Sequence, residues 1–252
     1  MSNPIKLSGI ILATNNEATI AASITHLLTI CDEVVIADGG STDRTVEIAE
    51  SMPKTRVVHR QWDGNYPAQR NFAMDAAKGE WLLSLDTDEL FGLKALKWIP
   101  RLIRIPGINW YSIPRMWLVE VDGRVQCIKS KPFYRGRQYR LLRNKPDIRY
   151  IDFGKTYVHE KLNKEAMGYG RPLRFIHMFH YDFLLQSREA REAKYERYMQ
   201  LSPEREADHK TYLWEDLGCK IGDLPEPLPG DMRDIDSVYR YMEENGLKPK
   251  TD

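Results

Sequence analysis

The chain has 252 residues, is 42% hydrophobic and 29% charged, and carries a formal net charge of +1. That length suits one large α/β domain or two small ones, and that composition a folded protein in water. A balance so close to neutral speaks against nucleic acid as a partner held by overall charge.

Cys31, Cys127 and Cys219 lie far apart, with no Cys-x-x-Cys pair. That spacing argues for reduced thiols rather than a zinc site or a disulfide framework. No apolar run reaches the roughly 18 residues of a membrane-spanning helix, and the opening Met-Ser-Asn-Pro-Ile-Lys lacks the apolar core of a signal peptide. A cytoplasmic location is expected. We find no internal repeat or low-complexity segment.

In chain order, the apolar stretch 7–13 predicts a strand. Thr14 or Asn15 can cap the helix that follows, with Glu17 in its first turn and Ile20, Ile24, Leu27 and Leu28 on its buried face. A second strand is expected over 33–37, ending at Asp38, then a turn at 39–43 and a helix over 45–50. A strand over 56–59 and a helix over 66–77 lead to Trp81–Leu85, a buried strand that runs into Asp86-Thr87-Asp88-Glu89. Strand–helix alternation of this kind implies right-handed crossovers and a mostly parallel sheet with helices on both faces.

The second part reads differently. A helix is expected over 93–105, closed by Pro106-Gly107. Stretches 109–121 and 124–130, joined by Asp122-Gly123, read as a hairpin. Further strands are expected over 137–142, 156–159 and 173–180, and a charged helix over 187–201. The proline-rich tail suggests short helices at 212–217 and 234–244. The expected organisation is a half over 1–108, a mixed-sheet half of the same domain over 109–201, and a partly helical tail over 202–252.

The acidic stretch after 85 carries the chemistry. Alternate strand residues share a face, so Asp86 and Asp88 can point the same way. Two carboxylates on one side of a strand end repel each other, and a divalent cation relieves the repulsion. Mg²⁺ takes one or two protein carboxylates and leaves its other positions to water and phosphates. The carboxyl edge of a parallel sheet is also where α/β folds bind ligands. An acidic loop that merely solubilises a strand end would fit the same residues, so the neighbouring stretches must decide.

Three of them agree. Ile11-Leu12-Ala13-Thr14-Asn15-Asn16-Glu17, then Asp32 to Asp43 with its Asp38-Gly39-Gly40-Ser41-Thr42-Asp43, then Gln69-Arg70-Asn71 ahead of Leu85-Asp86-Thr87-Asp88-Glu89, together resemble a family 2 glycosyltransferase of the GT-A fold. The resemblance covers about the first 90 residues. A vaguer, later similarity to the bacterial lipopolysaccharide-core β-glucosyltransferase type rests on Val158-His159-Glu160, on His180-Tyr181 before a charged helix, and on total length.

The resemblance implies a nucleotide-diphosphate sugar donor, UDP-sugar favoured, an inverting transfer to a hydroxyl of a saccharide or lipid-linked anionic acceptor, and dependence on Mg²⁺ or Mn²⁺. It places Thr14, Glu17 and Asp38 at the nucleoside and Arg70 near the diphosphate. Asp86 and Thr87 then meet the donor, and Asp88 is the metal ligand that also faces it. The acceptor base that the resemblance implies is Glu160, although many relatives carry Glu-Asp where this chain has His-Glu. His180 resembles a late histidine that completes the metal shell. His177 is its rival, on the opposite face if 173–180 is one strand. Asp38 could equally cap its own turn through the Ser41 and Thr42 amides.

From Gly123 to Pro146 there are eight Lys or Arg residues and no acid. They read either as a solvated face or as a surface for an anionic acceptor or membrane headgroups, which would make the protein peripheral on the inner face of the cytoplasmic membrane. Two other functions compete. A haloacid dehalogenase-type phosphatase also places Asp-x-Asp after an apolar strand, but would need a later acidic pair. A non-catalytic sugar-nucleotide or membrane-surface binding protein would keep the pocket and lack the base. A dinucleotide dehydrogenase is disfavoured, because no Gly-x-Gly-x-x-Gly follows the first strand.

Overall fold

The computed structural model describes residues 6–133, 136–151, 161–201, 203 and 206–251. The amino-terminal half is β1 (Leu7–Ala13), α1 (Ile20–Leu28), β2 (Glu33–Asp38), α2 (Thr45–Ser51), β3 (Thr55–His59), α3 (Tyr66–Ala76), β4 (Trp81–Ser84), β5 (Glu89–Phe91) and α4 (Leu93–Leu102). There follow β6 (Trp110–Val121), β7 (Arg124–Ile128), β8 (Arg137–Arg143), β9 (Tyr150–Ile151), β10 (Lys161–Leu162), α5 (Lys164–Met167), β11 (Gly170–Pro172) and β12 (Met178–His180). The chain closes with α6 (Asp182–Leu185), α7 (Arg188–Leu201), α8 (Glu206–His209), a 3₁₀ helix (Lys210–Leu217), β13 (Ile221–Gly222) and α9 (Ile235–Glu244).

The sheet runs β13-β7-β6-β8-β4-β1-β2-β3. It is parallel across β3, β2, β1 and β4, and antiparallel from β4 through β8, β6 and β7 to β13. Strand β2 is buried along its whole length, as a central parallel strand covered on both faces must be. Its alternation divides the core. Val34 and Ile36 pack with Ile11, Ile24, Leu27, Ala49 and Ile99 on the α1, α2 and α4 side. Val35 and Ala37 pack with Ile10, Ala73 and Met74 on the α3 side.

Asp122 and Gly123 take φ of 50° and 70° between paired Val121 and Arg124, the two-residue hairpin turn that positive φ at both positions permits. Helix α4 ends at Leu102 rather than 105. Beyond it Arg104 and Ile105 donate to Arg101 and Leu102, the tightened i→i−3 bonding that closes many helices. Of the single strand expected over 173–180, only Met178–His180 forms, as β12. β11 pairs with Trp110–Ser112 and β12 with Arg115–Trp117, so residues 173–177 stand opposite 113–114 alone and the chain must loop outward. β5 was not foreseen. The strand expected over 156–159 lies outside the described residues.

Two tertiary ties matter later. On α9, Val238 and Met242 pack with Ala22, Leu90 and Phe179. The Asp32 carboxylate accepts Lys6 N–H at 2.9 Å, Leu7 N–H at 3.1 Å and Lys250 Nζ at 2.6 Å.

His26, fully buried on α1, accepts the Phe91 N–H through Nε2 at 2.9 Å. Burial lowers its pKa to about 3. Its neutral form belongs to the fold, so this contribution is complete above the unfolded value near 6.5 and declines as pH falls toward 3. By pH 5 the loss should reach about 2 kcal/mol, at 1.36 kcal/mol per unit. Guanidinium titrations of the parent and His26→Gln at pH 7 and pH 5 check this. The parent should lose that much more than the variant, whose remaining groups are the same; equal losses would refute it.

Candidate active site

The carboxyl ends of β1, β2 and β4 build the site. Leu85 N–H donates to Ile10 O at 2.9 Å, so Asp86-Thr87-Asp88 leaves the sheet beside β1. Asp86 is held by two arginines: Arg70 from α3 at 2.9 Å and Arg140 from β8 at 2.5 Å. Arg140 also reaches both oxygens of the buried Glu89 at 2.7 Å, and Glu89 meets Arg115 at 3.5 Å. Burial works against ionising Asp86, yet Arg140 and then Arg70 hold it far below the usual carboxylate range.

Asp88 has the opposite surroundings. Its Oδ2 lies 3.4 Å from His180 Nε2. Burial, then the Asp182 and Asp86 carboxylates, push its pKa up to about 7. Register explains the meeting: β12 pairs antiparallel with β5, with His180 opposite Glu89, and Tyr181 N–H donates to Asp88 O at 2.7 Å. The Trp117 ring, 4.0 Å away between centroids, packs against the imidazole. Burial, then Arg115, lower the His180 pKa to about 4, so a neutral imidazole faces Asp88. Its Nδ1 is buried with no partner among the described residues. His177 points elsewhere, to Glu226 at 3.1 Å.

These residues fit a divalent cation. A carboxylate costly to ionise without added positive charge and a neutral imidazole converge within 3.4 Å, two donors of the kind Mn²⁺ accepts. No group of three or more such side chains occurs among the described residues, so phosphates and water would have to supply the remaining positions.

Asp86 and His180 border a cleft of about 650 Å³ that also holds Arg115, Arg137, Tyr150 and Lys194. Asp182, on its floor, is buried and paired with Lys194 at 3.0 Å. Sequence reasoning missed Arg115, Trp117, Asp182 and Lys194. The register of β6 and β12 brings Arg115 and Trp117 to His180, Asp182 follows β12 directly, and Lys194 arrives from α7 through its pairing with Asp182.

The nucleoside residues form a second group. Asp38 is buried and takes the Gly40 and Ser41 amides at 3.0 and 3.1 Å. The Thr42 amide goes instead to Asn15 Oδ1 at 2.8 Å, which corrects the expected cap. Gly39 leaves room for Thr14, since a Cβ there would stand 2.2 Å from Thr14 Oγ1 and displace that hydroxyl. Thr14 is exposed, and the exposed Glu17 accepts the Arg44 N–H at 3.0 Å. Thr87 is buried, and neither it nor Thr14, Glu17 or Asp38 borders the cleft. Glu160 lies outside the described residues.

The basic run over 123–146 is not one surface. Arg140 is buried in the Asp86–Glu89 cluster, Arg143 lies over Trp81 at 4.8 Å, and Arg137 borders the cleft while donating to Leu173 O. Arg135 is outside the described residues.

Comparison with known proteins agrees with the motifs. Residues 8–105 match the family model described as Glycosyl transferase family 2. An uncharacterized glycosyltransferase of Rickettsia bellii is 42% identical over 84 residues, 33% of this chain and 28% of that protein. The lipopolysaccharide core biosynthesis glycosyltransferase LpsC of Rhizobium meliloti is 29% identical over 145 residues, 55% of this chain and 51% of that one. The chain thus spans between about a quarter and a half of these relatives. Among solved structures, S. aureus TarS 1–349 in complex with UDP-GlcNAc is similar at a TM-score of 0.47 and 19% identity, covering 84% of this chain and 72% of that one. Over residues 8–105 the chain carries a domain of glycosyl transferase family 2.

Proposed function

We propose that the protein transfers a sugar from a nucleoside-diphosphate sugar, with UDP as the favoured nucleotide, to a hydroxyl of a saccharide or lipid-linked acceptor, inverting the anomeric carbon. One observation carries the reading: Asp88 and His180 converge beside a cleft bordered by arginines, at the carboxyl edge of the sheet. The two residues would hold Mn²⁺ or Mg²⁺, and a cation there supplies neutralisation of the departing diphosphate.

The chain's own groups do the rest. Arg70 was expected at the diphosphate, but its guanidinium donates to Ser84 Oγ and Asp86, each at 2.9 Å. We assign it to keeping Asp86 ionised and aimed at the cleft, where the carboxylate can accept from a ribose hydroxyl or a water. Arg115 and Arg137 put positive charge on the wall where an anionic leaving group or acceptor would lie. Tyr66 and Tyr150 border the cleft and bring aromatic surface to it. Glu160 is the proposed base for the acceptor hydroxyl. Asp38, capped by its turn, keeps fixed acceptors for the nucleoside beside Thr14 and Glu17.

Asp88→Asn tests the reading. Losing a charged ligand should weaken Mn²⁺-dependent binding of a nucleoside diphosphate by about 10- to 100-fold while the fold survives. Thermal shift reports it, because a ligand at 100 times its dissociation constant stabilises by about 2.7 kcal/mol. Equal Mn²⁺-dependent stabilisation of variant and parent would overturn it.

A further inference from the structure

The strongest unassigned feature lies on the outer face of α4. Its inner face, Ala95, Leu96, Ile99 and Leu102, is buried. Its outer face and the turn beyond present Lys94, Lys97, Trp98, Arg101, Arg104 and Ile105 to solvent. The outward loop between β11 and β12 lies alongside. The Phe175 ring meets Trp98 edge to face with centroids 5.5 Å apart. Trp98 is 46% exposed, Ile105 45%, Phe175 45% and Tyr169 59%. Trp98 and Phe175, left this open and in contact with each other, are not explained by the core.

Charge decides what covers them. Residues 90–119 and 166–181 contain no Asp or Glu. The face carries Lys94, Lys97, Arg101 and Arg104 from α4 and its turn, with the exposed Arg171 from β11 and Arg174 from the loop. None of these six is ion-paired with a carboxylate among the described residues. The nearby Glu226 is buried and spent on the Lys94 N–H and on His177. Arg101 lies 5.7 Å from the Trp98 ring and Arg171 5.7 Å from the Tyr169 ring, so cations and aromatics are interleaved. In a chain of net charge +1, such a field is local.

The geometry points to an anionic lipid bilayer as the occupant of this face: Trp98, Phe175, Tyr169 and Ile105 enter the headgroup layer while the six cations meet lipid phosphates. Aromatic rings with a polar or charged neighbour settle at that depth, and each Lys or Arg close to an anionic surface contributes. No helix among the described residues is long and apolar enough to cross a membrane, so the contact is peripheral. It is built from residues outside the 123–146 run, and it does not depend on the chemistry of the cleft. It does bear on that chemistry, since the segment ending in His180 is the one that carries Phe175.

Co-sedimentation of the full chain with vesicles tests the assignment. The parent should bind phosphatidylcholine vesicles containing phosphatidylglycerol far better than phosphatidylcholine alone, and lose that binding as NaCl rises. Lys97→Gln with Arg101→Gln should weaken it roughly 25-fold, about fivefold per cation lost. Trp98→Ala with Phe175→Ala should weaken it by roughly tenfold or more. Circular dichroism and nucleoside diphosphate binding should stay at parent levels in both. Equal binding to both vesicle types, or binding that neither pair of substitutions changes, would overturn the assignment. So would a parent dimer that dissociates on Trp98→Ala, because the face would then belong to a second copy of the chain.

Discussion

Arg140→Met is expected to cost about 3–5 kcal/mol of stability, the range for removing one partner of a buried ion pair. Arg140 is 4% exposed, and its guanidinium is shared between Asp86 and the fully buried Glu89. Without it, Asp86 keeps Arg70 at 2.9 Å, but among the described residues Glu89 keeps only Arg115 at 3.5 Å together with the Asp86 N–H at 3.1 Å. The loss arises from the anion left behind rather than from the worth of the pair. Arg140→Met with Glu89→Gln should therefore recover part of it, a non-additivity expected of residues in direct contact. Urea midpoints of parent, single and double variants decide. A single-variant loss below about 1 kcal/mol would mean that the cluster behaves like an exposed salt bridge.

Glu160→Gln should lower turnover by about 10²- to 10⁴-fold, the usual contribution of a general base. Glutamine keeps the size and much of the hydrogen bonding but cannot take the proton. Donor affinity should barely change, so the effect belongs in kcat. The measurement is nucleoside diphosphate release across pH, with a saccharide or lipid-linked acceptor supplied. Normal turnover by the variant would move the base to His159 or Asp152, which like Glu160 lie outside the described residues. A parent that binds a sugar nucleotide yet neither transfers nor hydrolyses it would favour a binding protein.

How much of this was legible in the sequence depends on how local the cause is. The elements from β1 to β4 follow from short apolar runs and helical spacing, and their boundaries match within a residue or two except at the start of α1, which begins at Ile20 with Thr19 rather than Thr14 or Asn15 at its cap position and with no acid in its first turn, so Glu17 stands outside it. The meeting of Asp88 with a histidine was legible through resemblance; the choice of His180 over His177 follows from pairing with β5. The double life of the acidic stretch was not legible. Asp86-Thr87-Asp88-Glu89 reads as one run of equivalent charge, yet Glu89 is fully buried, Asp86 is held by two arginines, and Asp88 faces an imidazole. The partner that separates these fates, Arg140, stands 51 residues from Glu89, inside a stretch whose composition suggests a solvated face. Nor could spacing show the outward loop over 173–177. It arises because two short strands share β6 with too few residues opposite them.

Asp32 has a consequence of another kind. One oxygen receives the amides of Lys6 and Leu7 and the other the ammonium of Lys250, while the Lys250 amide donates to Leu28 O at 2.9 Å. Residues 244 apart in the chain, by 250 − 6, are thus neighbours across one carboxylate. That carboxylate therefore fastens the first strand to the segment beyond α9, and Asp32→Asn would loosen both at once.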